Sequence, residues 1–307
     1  MRSAFTRALG EHAVRREEVV FLTGDLGFGF LEPLRDLLGE RFINCGVAEQ
    51  NMIGVAAGLA REGLEVWAYS IGPFLYARPL EQIRNDLCLH GLPARLVANG
   101  GGYGYGVMGP SHHALEDYGL LSALPGMHAL IPAFNRDLAE VVGRASALEE
   151  PSYVRLGLEE TPPGYEPPPW QPWRRLTEGD GPVAAVCGPL AGTVLGLALG
   201  DLKNMGIEVW TMGALPLTRY PPPEAFARRI EQAPGLLVVE EHRAHGGAGA
   251  GLALWGAEHG WRMPRFRLLS AQGYPSGRYG SQPFHRRECG LDPDSIRRTL
   301  MNMESQP

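Results

Sequence analysis

A single carboxylate, Glu49, heads a stretch whose other members are mostly small or apolar: Gly46-Val47-Ala48-Glu49-Gln50-Asn51-Met52-Ile53-Gly54-Val55-Ala56-Ala57-Gly58-Leu59-Ala60. The apolar run Phe42-Ile43-Asn44-Cys45 stops just before it, so the segment reads as strand, short loop, then helix. Gly54 and Gly58 each cost such a helix roughly 1 kcal/mol against alanine, a loss that close backbone packing must repay. An acid in a first helical turn is favoured by the helix dipole whatever its role. The same position suits a buried carboxylate serving a cofactor. Three further places could do chemistry. His112 ends Gly109-Pro110-Ser111-His112 after the glycine-rich stretch 99–109; an imidazole there could serve a ligand, or is a helix-terminal polar residue beside the cap Ser111. Arg155 ends the apolar run 152–156; its guanidinium fork fits phosphate oxygens or an ordinary rim salt bridge. The glycines of 240–249 read as a tight strand-to-helix turn with close packing, ahead of any nucleotide site.

Those residues need elements to hold them. Apolar runs at 19–23, 42–45, 65–70, 95–98, 128–132 and 152–156 read as strands, separated by helices near 3–14, 31–39, 49–60, 74–90, from 114, and 135–148. Strands alternating with helices of this length predict a doubly wound parallel sheet. Residues 161–181 break the rhythm with Pro162, Pro163, Pro167 to Pro169 and Pro172, none of which fits a helix or central strand. The alternation resumes with strands at 183–187, 207–212, 236–240 and 266–269, between helices at 191–204, 223–232, to about 259, and 293–303. The fold class is therefore α/β in two doubly wound domains: 1–160, a Pro-rich linker 161–181, and a smaller domain 182–307. Open parallel sheets bind ligands beyond the carboxyl ends of their strands. Glu49, Phe74, the loop with His112, and Arg155 all follow or end such strands, so one rim could hold them together.

Composition narrows the function. The chain has 307 residues, 44% hydrophobic and 20% charged, with a net charge of −6, which gives a nucleic acid no basic surface. Cys45, Cys88, Cys187 and Cys289 show no metal spacing and read as reduced core thiols. The first residues lead into an amphipathic helix instead of a signal core, and no apolar run approaches the roughly 20 residues that span a bilayer. A cytoplasmic protein with neither a membrane nor a nucleic-acid partner is expected.

The ordered series Arg2-x-Ala4-Phe5, Gly24-Asp25-Leu26-Gly27, Arg41-Phe42-x-Asn44-x-Gly46-x-Ala48-Glu49-Gln50-Asn51-Met52, Phe74-x-x-x-Arg78-x-x-x-Gln82-Ile83-Arg84-Asn85, Gly109-Pro110-Ser111-His112 and Glu240-Glu241-His242 resembles the transketolase family. It covers the pyrimidine-binding and C-terminal domains of that family. The resemblance implies a thiamine diphosphate enzyme, but half of one. The diphosphate-binding domain, with its Gly-Asp-Gly and downstream Asn, is missing; Gly179-Asp180-Gly181 stands in the proline linker, without the elements that should follow. The resemblance therefore implies an N-terminal transketolase-like partner subunit that holds the diphosphate and Mg2+, with no metal ligand in this chain. It also implies self-association into a dimer of heterodimers.

By the same resemblance Glu49 hydrogen-bonds ring nitrogen N1′ of the cofactor's aminopyrimidine and stabilises the imino tautomer that activates the thiazolium carbon. Phe74 stacks on the pyrimidine, with Tyr69 a further candidate for that pocket. His112 contacts substrate and shares in catalysis. Arg155 pairs with a substrate phosphate, and Arg78 lies nearby. His113 stands where the family has Gln, and Glu116 and Asp117 are expected to face solvent or a subunit contact. Counting back from His112, a sugar-binding histidine of the family falls on Gly100 and an acid on Met108. The implied activity is transfer of a two-carbon ketol unit from a ketose, or its phosphate, to an aldose by the C-terminal subunit of a split enzyme. The alternatives are the beta chain of a two-component 2-oxo acid dehydrogenase or acyl transferase, and a non-catalytic subunit. Gly100 and Met108 point to sugars modified near the affected hydroxyls, unless Asn99, Tyr103 or Tyr105 supplies the lost hydrogen bonds.

Overall fold

The computed structural model describes residues 1–262 and 265–304; positions 263–264 and 305–307 of the expected second domain lie outside the described residues. Uninterrupted apolar runs make strands buried on both faces, as parallel sheets covered by helices require. The first half holds β1 (Val19–Thr23), the partly exposed edge strand β2 (Phe42–Asn44), β3 (Glu65–Ile71), β4 (Ala94–Asn99), β5 (His128–Leu130) and β6 (Ser152–Leu156). They pair in parallel in the order β5-β6-β4-β3-β1-β2. The second half supplies β7 (Trp173–Arg175), β8 (Val183–Cys187), β9 (Glu208–Met212), β10 (Ala214–Leu215), β11 (Gly235–Arg243) and β12 (Arg265–Ala271). Its five-stranded sheet runs β12-β11-β8-β9-β7, with β7 antiparallel to β9. The short β10 crosses over and adds antiparallel to β5, making the first sheet seven-stranded.

The faces of the first sheet are covered differently. Val20, Leu22, Val66 and Ala68 pack with Met52, Ile53 and Ala56 of helix Glu49–Arg61. Phe21, Trp67 and Tyr69 pack on the opposite face with Phe5 and Leu9 of helix Arg2–Ala13. Each large aliphatic or phenylalanine side chain among them stabilises the fold by about 1.5–3 kcal/mol when fully buried. Among the described residues no helix is long and apolar enough to cross a membrane.

Three local expectations change. The helix expected over 74–90 is interrupted: helix Gly72–Tyr76 stops, and the chain passes through Ala77, Arg78 and Pro79 before Leu80–Gln82 and a wider turn at Ile83–Cys88. A proline cannot donate to a preceding turn, which explains the break. The proline-rich linker 161–181 carries packed structure of its own. Trp170 and Trp173 are buried, β7 forms within it, and the Arg174 guanidinium makes a two-point contact with buried Asp137. Finally, a Cβ on Gly54 or Gly58 would meet no other element of this chain within 4 Å, so the close packing expected of them is absent from the single subunit.

The two sheets are joined by polar groups at the end of β11. Tyr118 Oη donates to Glu240 Oε2 at 2.5 Å, and the backbone N–H groups of Ala248 and Gly249 donate to the same carboxylate. Glu241 accepts from Arg286, Gln282 and the backbone N–H of Tyr103. The glycines before helix Ala248–Glu258 are there for space: a Cβ on Gly247 would lie 2.5 Å from Glu240 Oε1. Burial pushes the Glu240 carboxyl up to about 7, outweighing the three donors that favour its ionised form.

The folded chain thus keeps a proton on Glu240 where the unfolded chain has lost it. The stabilising share of this group is full below the ordinary carboxylate range and is lost as pH rises through about 7. The buried imidazoles of His113, His242 and His285 are lowered by burial and act in the opposite sense, so a variant must isolate the effect. Between about pH 5 and about pH 8, the stability of wild type minus that of Glu240→Gln should fall by up to roughly 3 kcal/mol in chemical denaturation. A flat difference would show that the Glu240 carboxyl titrates alike in both states.

Candidate active site

The rim at the carboxyl ends of β1 and β2 is tied by one amide. The side-chain carbonyl of Asn44 accepts from the backbone N–H groups of Asp25 at 3.0 Å and Gly46 at 2.9 Å, and its NH2 donates to Asp25 Oδ1 at 2.8 Å. Asp25 and Gly46 both hold positive φ, 54° and 69°, so the two loops turn sharply where Asn44 joins them. Helix Glu49–Arg61 starts directly after this staple. Its first side chain is directed at the end of β1, where a Cβ on Gly24 would lie 3.8 Å from Glu49 Cγ. Glu49 is only 2% exposed.

Arg78, from the break after helix Gly72–Tyr76, reaches that carboxylate: Nη1 donates to Glu49 Oε2 at 2.5 Å while the side chain stays 43% exposed. Its guanidinium carbon lies 4.5 Å from the centre of the Phe74 ring. Phe74 in turn meets the His112 ring edge to face at 5.0 Å, and His112 Nδ1 lies 2.9 Å from Ser111 Oγ. Glu49, Arg78, Phe74 and His112 therefore form one contiguous group.

The loop carrying His112 is positioned by three successive glycines with no room for a side chain. A Cβ on Gly100 would run into the Tyr105 ring, one on Gly101 would lie 2.8 Å from Arg155, and one on Gly102 2.6 Å from the Glu241 side chain. Tyr105 thus covers Gly100; its hydroxyl accepts from Asn99 Nδ2 at 2.6 Å, and its ring lies 5.8 Å from His112. Tyr103 is unavailable to a substrate, being fully buried with its hydroxyl donating to the Gly273 carbonyl. Met108 is exposed at the loop's tip.

Two expected site residues are placed elsewhere. Tyr69 points to the opposite face of β3, fully buried among Phe5, Phe21 and Phe30, because strand side chains alternate and residue 69 shares the phase of Trp67. Arg155 cannot meet a substrate phosphate. It is enclosed, with Nε donating to Asp117 Oδ2 at 2.7 Å and Nη2 to the carbonyls of Ala114 and Glu241. Asp117 faces neither solvent nor a subunit; it is fully buried between Arg155 and the Tyr153 hydroxyl. His113 is buried at the joint, between the Gly106 carbonyl and the Tyr274 hydroxyl. Asn44 was absent from the expected site, although its place at the end of a strand before a glycine is the usual signature of a residue that folds back on a turn.

A buried carboxylate close to a half-buried aromatic ring can receive a flat heteroaromatic ring, with Glu49 for a ring nitrogen and Phe74 for a ring face. The residues present fit the aminopyrimidine of thiamine diphosphate in that sense. Among the described residues no group of three or more His, Cys, Asp or Glu could hold a metal ion.

Comparisons with known proteins bear on the family of the chain. A family model described as the transketolase pyrimidine-binding domain matches residues 1–163. The chain is 30% identical over 256 residues to an apulose-4-phosphate transketolase subunit of Phocaeicola vulgatus, covering 81% of each chain. It is 30% identical over 266 residues to the protein of the same name from Actinobacillus succinogenes, covering 84% of this chain and 83% of that one. A solved structure described as a split gene transketolase, in the form of an inactive beta4 tetramer, matches with a TM-score of 0.82 at 26% identity, over 98% of this chain and 97% of that one.

The enclosed Arg155 makes a prediction of its own. Breaking a buried ion pair from one side leaves an uncompensated charge and costs about 3–5 kcal/mol. Arg155→Met should lower the urea midpoint accordingly. An unchanged midpoint would mean that Arg155 is free to meet a ligand after all.

Proposed function

The chain belongs to the transketolase family as the C-terminal subunit of a split, transketolase-like enzyme, and from that premise we propose that it supplies the aminopyrimidine half of a shared thiamine diphosphate site. The observation that carries the proposal is the buried Glu49 carboxylate beside the Phe74 ring, on the rim where open α/β sheets bind ligands. When bound, thiamine diphosphate supplies the carbon nucleophile that cleaves a ketose beside its carbonyl. Glu49 holds the proton at ring nitrogen N1′, in a pocket that keeps water from competing for it. Phe74 supports the ring face and so fixes its distance from the carboxylate. His112, on the loop next to Phe74, offers an imidazole N–H to a substrate hydroxyl, with Ser111 steadying its other nitrogen. Arg78, the exposed cation of the group, is the candidate for contact with substrate once the ring is in place.

The same rim supports a partner. Phe28 is 82% exposed and Val47 73% exposed, and Val107, Met108, Leu158 and Tyr279 are exposed with them. The first five lie on loops that follow β1, β2, β4 and β6, around Glu49 and His112. Apolar side chains gathered around a site mark a surface that another chain covers. The partner we propose is an N-terminal subunit that binds the diphosphate through Mg2+. The open glycine face at Gly54 and Gly58 suits close approach of a second copy, giving a dimer of heterodimers. Two relatives are named as transketolase subunits, which favours ketol transfer between sugars over the 2-oxo acid dehydrogenase alternative. They are also named for apulose-4-phosphate. With Gly100 under Tyr105 and Met108 at the loop tip, the site lacks the family's histidine and acid. That supports a sugar phosphate other than the common pentose phosphates, with Asn99 and Tyr105 as polar groups on the same side as His112.

The chain alone should show no ketol transfer with thiamine diphosphate and Mg2+, and mixing it with its partner should create turnover. In that mixture Glu49→Gln should lower kcat by about 10²–10⁴-fold, the range for losing a positioned proton-transfer group. Near-normal turnover by the variant would remove Glu49 from the mechanism, and turnover by the single chain would end the shared-site reading.

A further inference from the structure

Arg78 touches both groups that an aminopyrimidine ring would need. Its guanidinium is planar and cationic, lies 4.5 Å above the Phe74 ring, and donates through Nη1 to Glu49 Oε2 at 2.5 Å. A flat ring bearing an N–H would make the same two contacts: stacking on the aromatic face and one charge-assisted hydrogen bond to the carboxylate. The pairing is built into the backbone. The helix stops at Tyr76, Arg78 N donates to the Pro73 carbonyl at 3.3 Å, and Pro79 prevents the chain from rejoining the helix before Leu80. Phe74 and Arg78 stand four residues apart, one turn of chain, so the guanidinium reaches the ring of Phe74 from the wide turn that closes on the Pro73 carbonyl. The two ends of the contact differ in exposure. Glu49 is enclosed, while the Arg78 side chain is nearly half in solvent and free to swing outward. A long charged side chain that can leave into water is a reversible occupant, unlike the enclosed Arg155.

We infer that Arg78 is a placeholder for the cofactor ring: its guanidinium fills the Phe74–Glu49 slot in the cofactor-free chain and must leave for the aminopyrimidine to enter. The inference rests on the proposed role of Glu49 and Phe74. It also explains how Glu49 can stay buried before the cofactor arrives, since a lone enclosed carboxylate is costly without a partner. Binding then exchanges one planar donor for another, and Arg78 is released toward the open side of the site, where the substrate enters. Because the binding-competent form is only the fraction with Arg78 out, the placeholder weakens the apparent affinity for cofactor by that fraction.

The test is calorimetric titration of thiamine diphosphate, in the presence of Mg2+, into the chain reconstituted with its N-terminal partner. Wild type, Arg78→Met and Arg78→Gln are compared, with thermal unfolding of each cofactor-free complex. The placeholder predicts a Kd about tenfold tighter in both variants and a lower melting temperature of their cofactor-free form, because Glu49 loses its partner. Equal or weaker binding by the variants, with wild type binding normally, would overturn the placeholder and leave the role of Glu49 and Phe74 standing. A variant that does not assemble is decided by the other. If wild type and variants all failed to bind the cofactor, the proposed site and the placeholder would fall together.

Discussion

The enclosed pair of Arg155 and Asp117 is the contact on which the rest of the architecture depends. Arg155 lies at the end of β6, Asp117 opens helix Asp117–Ser122, and the second guanidinium nitrogen reaches the carbonyls of Ala114 and Glu241. One side chain thus binds the first sheet, the loop that carries His112, and the last turn of β11 in the second sheet. Removing two charges from water is expensive, and the cost is offset here at Asp117 Oδ2, which accepts from both Arg155 and the Tyr153 hydroxyl, while Oδ1 has only His242 Nε2 at 3.9 Å. Here every contact Arg155 makes is to an element that would otherwise be free to shift relative to the others. The glycines at 101 and 102 let the loop lie directly on Arg155 and Glu241, so the position of His112 is a consequence of this joint.

The proposed cofactor side of the site has a second, smaller dependence. Asn44 joins the ends of β1 and β2 and so fixes where helix Glu49–Arg61 begins. Its start sets the depth of Glu49, and the break at Pro79 sets the reach of Arg78. The two halves of the rim meet at the Phe74–His112 contact. Apolar loop tips surround the meeting point, which is why a second chain is a natural completion of the site.

Much of this was legible in the residues. Buried parallel strands are nearly uninterrupted apolar runs, so β1 and β8 fall where those runs stand, and the rim followed from strand order alone. The same uniformity hid the phase of each strand. In Glu65–Ile71 nearly every residue is compatible with either face, so nothing in the residue types says that Tyr69 points away from Glu49 while Ser70 takes the other face. Arg155 was unreadable for a different reason. A guanidinium at a strand's carboxyl end looks alike whether it meets water or lies under a second sheet, and the covering strand β11 comes about eighty residues later in the chain. The prolines of 161–181 exclude helix and central strand, as read, but leave room for the short edge strand Trp173–Arg175 after Pro172, which no residue pattern announces.

The most direct test of the shared cofactor site is a structure of the chain assembled with its N-terminal partner and thiamine diphosphate. The aminopyrimidine ring should lie on the face of Phe74, with ring nitrogen N1′ within hydrogen-bond distance of Glu49 and the diphosphate held by the partner. A cofactor ring seated away from Glu49, or a diphosphate bound by residues of this chain alone, would contradict the shared site.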